Sequence, residues 1–289
     1  MEHGDIAFPN LNIWLHNVPK SFSIFGFTVA LYGCLIAIGI MLGVAMAVHD
    51  RKSRGLSPEP VWDVVTYGVI AGILGARAYY VIFAWDYYKD NLLSIFNLRQ
   101  GGLAIYGGIT AAFITVIIIS RIHKENPLEV CDSIALGFPV GQIIGRWGNF
   151  FNREAFGGWS ENLLSMRLPI ADVRASDISA GIEQHITAGM DYIQVHPTFL
   201  YEGAWNLCVL ILLYLYRKHK KFPGEVFFLY LLGYGLGRIW IEGLRTDQLI
   251  APVIGIPVSQ IVAGACIVVS AGVIIVKRKS DKNNREGAR

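Results

Sequence analysis

The sequence predicts an all-α integral membrane protein, a bundle of about seven transmembrane helices with a small external head subdomain. Three observations predict this fold class. Hydrophobic residues make up 53% of the chain and charged residues only 16%, too few to cover a soluble domain of 289 residues. Apolar runs such as 25–48 and 256–276 are long enough to cross a hydrocarbon core of about 30 Å. Short basic clusters adjoin these runs, as they do at the ends of membrane helices.

Seven apolar runs set the expected order of the helices. Within 25–152 we expect transmembrane helices 1–4, and within 198–276 helices 5–7. Glycines at four-residue spacing, such as Gly39 with Gly43, predict that these helices pack closely. The predicted spans are 25–48, 61–83, 102–120, 131–152, 198–216, 225–244 and 256–276.

The basic clusters predict the orientation of the chain. They lie at 51–54, 121–124, 217–221 and 277–279, and the positive-inside rule makes these ends cytoplasmic. The N-terminus is then outside and the tail 277–289 inside, which an odd number of spans satisfies. Because each cluster is short and adjoins a span, orientation in a membrane explains them better than binding to nucleic acid.

Two polar segments are expected outside the membrane. Residues 1–24 are expected to form an interfacial segment. Residues 153–197 are too mixed in polarity to span the membrane and are expected to form the head subdomain. The N-terminus lacks a basic region followed by an apolar core and a cleavage site, so we expect no removable signal peptide. Four single cysteines show no metal-binding or disulfide spacing.

Two arginines lie inside predicted spans, where an ionised side chain costs at least a few kcal/mol. Arg146 and Arg238 each lie about four residues, roughly 6 Å, outward of the centre of their span. Other spans place polar side chains at a similar or slightly shallower level: Tyr32, Arg77, Tyr106 and Glu202. This shared depth predicts one buried site toward the outer leaflet.

Helical spacing groups further residues with the two arginines. One face is predicted to carry Gln142, Arg146, Asn149 and Arg153, and another Tyr234, Arg238, Glu242 and Arg245. An alternative is a set of internal salt bridges, which the position of Glu242 permits for Arg238. Arg146 has no acidic residue four positions away on its own helix. Paired guanidinium groups suit a phosphate or phosphodiester, so a phospholipid headgroup is the favoured ligand.

Several motifs resemble those of the bacterial prolipoprotein diacylglyceryl transferases. The most specific is GRWGNFFNREAFG at 145–157. The resemblance implies transfer of the diacylglyceryl group of phosphatidylglycerol to the lipobox cysteine thiol of a preprolipoprotein, in the bacterial cell membrane. A thioether forms and glycerol phosphate leaves, which is the first step of lipoprotein maturation. The other matching motifs follow in the family's order: LYGCL at 31–35, GGLAIYGG at 101–108, HPTFLYE at 196–202 and GYGLGRIWIEGLRTD at 233–247.

The resemblance also implies roles for individual residues. Arg146 would bind the lipid phosphate, and Arg238 would stabilise charge on the leaving phosphate. Supporting roles fall to Asn149, Glu154 and Gly157 beside Arg146, to Tyr234, Glu242 and Arg245 beside Arg238, and to Tyr32, which would line the site.

Tyr106 departs from the family's pattern. Many members carry histidine there, and that histidine has been proposed as the base that activates the thiol. Unperturbed tyrosine, with a pKa near 10, is a poor base at neutral pH. We therefore expect the positive site to promote loss of the thiol proton, while Tyr106 orients groups and donates a hydrogen bond. His196 is the other candidate base, although a structural cap ahead of Pro197 is the favoured interpretation of that residue.

No carboxylates or histidines have metal-ligand spacing, so we expect neither a metal nor another cofactor. The alternative function is a transporter or binding protein for an anionic lipid or solute. A transporter needs a polar path across the inner half of the membrane, or interrupted helices. The inner halves of the fifth and sixth spans, 207–213 and 226–232, are apolar.

Overall fold

The computed structural model describes residues 1–98 and 101–286, with side chains as far as 281. The predicted fold class is confirmed, because the described chain contains seven long helices. Six are long and apolar enough to cross a membrane. The seventh, α8, is 20 residues long and carries Glu225, Arg238 and Glu242, which lower its hydropathy. The helices are α1 (Leu31–Ser53), α2 (Glu59–Phe83), α4 (Ile105–Ile122), α5 (Pro127–Asn152), α7 (Thr198–Tyr216), α8 (Glu225–Leu244) and α9 (Val258–Glu286), with two short ones, α3 (Trp85–Tyr88) and α6 (Ala180–Glu183).

The predicted helix boundaries differ from the observed ones mainly at two places. The first span was expected to begin at residue 25, but α1 begins at Leu31. The preceding residues form a hairpin of strands β3 (Ser21–Ile24) and β4 (Phe27–Ala30), in which Ser21 pairs with Ala30. The last helix continues ten residues beyond the predicted end at 276 and reaches Glu286.

The described chain divides into two compact units. One consists of Val44–Ala135, in which α2 packs along α4. A Cβ added to Gly75 would lie 2.8 Å from the carbonyl oxygen of Gly107, so glycine permits this close approach. Arg77 is buried there and donates hydrogen bonds to backbone carbonyls of the following loop. This loop explains why a charged side chain is buried near the end of α2.

The other unit consists of Met1–Gly43 and Leu136–Arg289, and it contains a small sheet. Its antiparallel strands lie in the order β2 (Ile13–Leu15), β1 (Ile6–Phe8), β5 (Met166–Pro169) and β6 (Tyr192–Val195). The buried side chains of Ile6, Leu168 and Ile193 belong to one hydrophobic core. The N-terminal segment and the segment 153–197 therefore fold together, which local sequence patterns do not predict.

Arg153 does not share the face of Arg146, so that prediction is wrong. Helix α5 ends at Asn152, and Arg153 follows in the left-handed region with φ 55°. Its guanidinium donates to the carbonyls of Gly4 (2.7 Å) and Val18 (2.6 Å). It also lies 3.5 Å from Asp172. Arg153 thus holds the N-terminal segment against the rest of the head.

Glycines bring α1 and α5 together within this unit, as the four-residue spacing predicted. A Cβ added to Gly43 would lie 2.8 Å from the carbonyl oxygen of Gly137, and one at Gly39 would lie 3.2 Å from that of Gly141. Helix α7 packs on α8, where the indole N–H of Trp205 donates to the Gly233 carbonyl (2.8 Å). These contacts fix the helices that carry the charged residues described next.

Candidate active site

Three helices bring charged side chains together around Glu202. Arg146 on α5 places Nη2 2.6 Å from Glu202 Oε1, and Arg238 on α8 places Nη1 3.5 Å from Oε2. Glu202 lies on α7 and is only 5% exposed. The two guanidinium groups thus reach the same buried carboxylate from separate helices.

Helical spacing did not predict this role of Glu202. No acidic residue of α5 lies at hydrogen-bonding spacing from Arg146, and its partner comes from α7 instead. A usable signal was present, because Glu202 is the one charged residue of α7 and ends the HPTFLYE motif. Helical spacing describes one helix at a time and does not reveal which helices are neighbours.

Arg238 also pairs with Glu242 on its own helix, as their spacing permits. The distance from Arg238 Nη2 to Glu242 Oε2 is 2.7 Å, and Glu242 is buried. Arg245, just beyond α8, lies 3.9 Å from the same Glu242 oxygen. It donates two hydrogen bonds to Asp247, of 2.9 and 2.7 Å. The salt-bridge interpretation is therefore correct for Arg238 with Glu242.

Asp247 remains ionised beside Arg245. Burial alone would raise the pKa of Asp247, but the hydrogen bonds from Arg245 outweigh it and hold that pKa below its usual range. With Asp247 included, Arg146, Arg238 and Arg245 face three carboxylates. The cluster therefore contains as many carboxylates as guanidinium groups.

A chain of hydrogen bonds runs from Arg146 toward the head. Arg146 Nη1 donates to Asn149 Oδ1 (3.1 Å), and Asn149 Nδ2 donates to Glu154 Oε1 (3.2 Å). Glu154 also accepts from Asn152 (3.3 Å) and from the exposed Arg174 (3.2 Å). Asn149 and Glu154 thus fix the orientation of the Arg146 guanidinium.

Gly157 joins the head to the end of α8. Its N–H donates to the carbonyl of His196 (3.0 Å), and it forms an isolated β-bridge with Arg245. A Cβ added to Gly157 would lie 2.7 Å from His196 Cβ and 2.9 Å from the Leu244 carbonyl oxygen. Only glycine fits without displacing a neighbour, and the contact holds the backbone from which Arg245 extends.

Two tyrosines of the predicted site, Tyr32 and Tyr234, belong to the same compact unit as Arg146 and Arg238. The ring of Tyr32 on α1 covers Gly148 of α5, where an added Cβ would lie 2.6 Å from the ring. Tyr234 lies one turn before Arg238 on α8, and its ring stacks on Tyr230 with centroids 6.1 Å apart. Tyr106 belongs to the unit Val44–Ala135, in the first turn of α4, where its side chain is 38% exposed. Its role stays a prediction.

His196 does not act as a side-chain cap, so that interpretation is wrong. The N-cap of α7 is Pro197, with no capping bond from a side chain. The Nδ1 atom of His196 lies 3.3 Å from the Tyr201 hydroxyl and 3.3 Å from Asn162 Nδ2. Burial lowers the pKa of His196, so the ring is neutral at pH 7.

Among the side chains that the structure describes, no group of three or more His, Cys, Asp or Glu is placed to hold a metal ion.

The apolar helices, and the cluster in which arginines meet the buried carboxylates Glu202 and Glu242, define an integral membrane protein with a charged site inside its helix bundle. A sequence profile described as prolipoprotein diacylglyceryl transferase matches residues 19–276. The chain belongs to this family, and the resemblance inferred from its motifs is confirmed.

Curated relatives agree along nearly the whole chain. The phosphatidylglycerol–prolipoprotein diacylglyceryl transferase of Clostridioides difficile (strain 630) is 38% identical over 266 residues, which is 91% of this chain and 97% of the relative. The protein of that name from Finegoldia magna is 41% identical over 256 residues, or 88% of this chain and 93% of the relative. The one from Staphylococcus aureus (strain Newman) is 38% identical over 260 residues, or 90% and 89%.

Proposed function

We propose that this protein transfers the diacylglyceryl group of phosphatidylglycerol to the lipobox cysteine thiol of preprolipoproteins. Membership of the family supports the reaction class. One observation of the site supports the lipid as its ligand: Arg146 and Arg238, on separate helices, both reach a single carboxylate. A phosphodiester is likewise a compact anion with several acceptor oxygens, so it can accept hydrogen bonds from the same two guanidinium groups.

The two arginines take different parts in the reaction. Arg146, oriented by Asn149, binds the phosphate. Arg238, held by Glu242, stabilises the negative charge that grows on the phosphate as it leaves. Its Nε is buried and has no hydrogen-bond partner among the described residues, so a donor is available for a phosphate oxygen.

The chemistry requires one bond to form and one to break. The cysteine sulfur attacks the glycerol carbon that bears the phosphate, the sulfur–carbon bond forms, and the carbon–oxygen bond to phosphate breaks. The thiol proton leaves for solvent, and the leaving group is glycerol phosphate. Arginines near the thiol favour its thiolate form. Tyr106 donates a hydrogen bond, Tyr32 and Tyr234 line the site, and Glu154, Gly157 and Arg245 hold its frame.

The proposal includes an orientation in the bacterial cell membrane. The interfacial segment 1–24 and the head 153–197 lie outside, and the tail 277–289 lies in the cytoplasm. Transmembrane helices 1–4 lie within 25–152 and helices 5–7 within 198–276, and the site of Arg146 and Arg238 opens to the outer leaflet. The basic clusters at the other ends of the helices support this orientation. The partners are phosphatidylglycerol and the lipobox segment, without nucleic acid.

A two-label assay tests the reaction. Phosphatidylglycerol labelled separately in its acyl chains and its headgroup glycerol is incubated with the purified protein and a lipobox peptide. We expect the acyl label on the peptide and the headgroup label in free glycerol phosphate. A peptide with serine in place of the cysteine should stay unlabelled. Movement of intact lipid between leaflets of a vesicle, without labelled peptide, would instead indicate the transporter.

A further inference from the structure

Asn206 is a buried polar residue that the site described so far does not use. It lies near the middle of α7 and is only 2% exposed. Its Nδ2 has no hydrogen-bond partner among the described residues. Unpaired buried donors are rare in folded proteins, and inside a membrane bulk water does not satisfy them. This amide therefore points to a ligand that offers an acceptor.

The position of Asn206 on α7 relates it to the arginines. It follows Glu202 by four residues, so both face the same side of the helix, about 6 Å apart along the axis. The next buried residues on that side are Val209 and Leu213. Along this face the side chains thus change from charged to amide to apolar.

Helix α5 repeats this order. Arg146 is preceded at four-residue steps by Gln142 and then Phe138, whose ring stacks on Tyr230 at 5.4 Å. Since α5 ends and α7 begins at the head, both series run in the same direction. Gln142 Oε1 is buried without a hydrogen-bond partner, while its side chain bonds Tyr230. A tyrosine hydroxyl can donate or accept, so this amide can turn over and present its N–H₂ group.

Phosphatidylglycerol contains the same order of groups. Its phosphodiester is followed by the two acyl ester carbonyls and then by the acyl chains, whereas the headgroup glycerol lies on the other side of the phosphate. The unpaired N–H of Asn206 needs an acceptor, and an ester carbonyl accepts hydrogen bonds and donates none. We propose that Asn206 is a lipid-binding residue whose amide donates to an acyl ester carbonyl while the arginines hold the phosphate.

This contact would position the reacting carbon. The inference rests on the proposed function and adds a second point of attachment for the lipid. The carbon attacked by sulfur lies between the phosphate and the esters. Holding both ends restricts the carbon to one place, which is how binding groups raise the rate of a reaction.

The test compares two forms of phosphatidylglycerol, the diacyl lipid and its dialkyl ether analogue, which lacks both carbonyls. For the unmodified protein we expect kcat/KM to fall by roughly fivefold to tenfold with the ether, which is ordinary for loss of one neutral hydrogen bond. Asn206→Leu, which keeps the approximate size and removes the donor, should use both lipids equally. If the leucine variant folds poorly, Asn206→Ala takes its place and should likewise use both lipids equally.

Ser270→Ala is the matched control. Ser270 is also fully buried in a membrane helix with an unpaired hydroxyl, but it belongs to α9. Its variant should keep the preference for the ester, and thermal unfolding in detergent should show that all variants fold. An unmodified protein that uses ether and ester equally, or an Asn206 variant that still prefers the ester, would overturn the inference. Failure of the unmodified protein to transfer even the diacyl lipid would refute the proposed function instead.

Discussion

Glu202 determines how the two partly buried arginines, Arg146 and Arg238, are arranged. Two like charges repel, and Arg146 and Arg238 can approach because a carboxylate lies between them. The contacts are unequal: Arg146 makes a short charge-assisted hydrogen bond, whereas the 3.5 Å to Arg238 is a looser ion pair. An incoming phosphodiester can therefore approach Arg238 without first separating Glu202 from Arg146.

Glu202→Gln should test this arrangement. The substitution keeps the size of the side chain but removes the charge, and breaking a buried ion pair destabilises proteins by about 3–5 kcal/mol. We expect thermal unfolding in detergent at a lower temperature. Phosphatidylglycerol should then stabilise the variant more than the unmodified protein, because its phosphate replaces the missing anion.

Glu225→Gln is the control for that experiment. Glu225 is fully buried as well, and it accepts a 2.6 Å hydrogen bond from Arg278. Its variant should also lose stability, but the lipid should stabilise it no more than the unmodified protein. Equal stabilisation of the Glu202 variant and the unmodified protein by the lipid would contradict a shared anion site.

Arg238→Lys should separate charge from geometry. Lysine keeps the positive charge but cannot present several donors in a planar fork, so it cannot hold Glu242 and a phosphate together. We expect kcat/KM to fall by roughly 100-fold, as when one donor to a developing oxyanion is removed. The exposed Arg174 offers the matched change Arg174→Lys, which should stay within about twofold. Full activity of Arg238→Lys would remove that residue from the mechanism.

The helices and the head differ in how far the sequence predicts them. Each helix is encoded in one continuous apolar run, so α2, α5 and α8 lie close to their predicted limits. The sheet joins strands of three or four residues from distant parts of the chain, such as Ala7 with Arg167, and local patterns do not record that pairing. The same limit applies to the site, where the partner of Arg146 lies on another helix.

Gly157→Ala should show how the head supports the site. The new methyl group would press against His196 and the Leu244 carbonyl, and overpacking of this kind costs about 1–3 kcal/mol. We expect a lower unfolding temperature and about tenfold less activity, because the backbone that carries Arg245 must move. Gly158→Ala is a close control, since an added Cβ there meets nothing within 4 Å. Equal activity of the two variants would show that the close approach at Gly157 is dispensable.

Across the whole molecule, charge is divided between two kinds of location. Inside the bundle Arg146 and Arg238 have the carboxylate partners Glu202 and Glu242, and Arg77 donates to backbone carbonyls instead. The basic clusters at 217–221 and 277–279 instead lie at helix ends. A charge inside the membrane is costly and needs a partner, whereas an excess of Lys and Arg at helix ends favours the cytoplasmic side. The distribution of charge therefore predicts the orientation without reference to the chemistry.

Labelling of single introduced cysteines should test that orientation. Glu161→Cys lies in the head and Lys218→Cys in the basic cluster after α7, and both positions are exposed. In intact cells stripped of their wall, a membrane-impermeant maleimide should label the cysteine at 161. The cysteine at 218 should react only after the membrane is opened. The unmodified protein, which has four cysteines of its own, gives the background. The reverse pattern would place the head in the cytoplasm. It would contradict the proposed orientation, because an exported preprolipoprotein presents its cysteine at the outer leaflet.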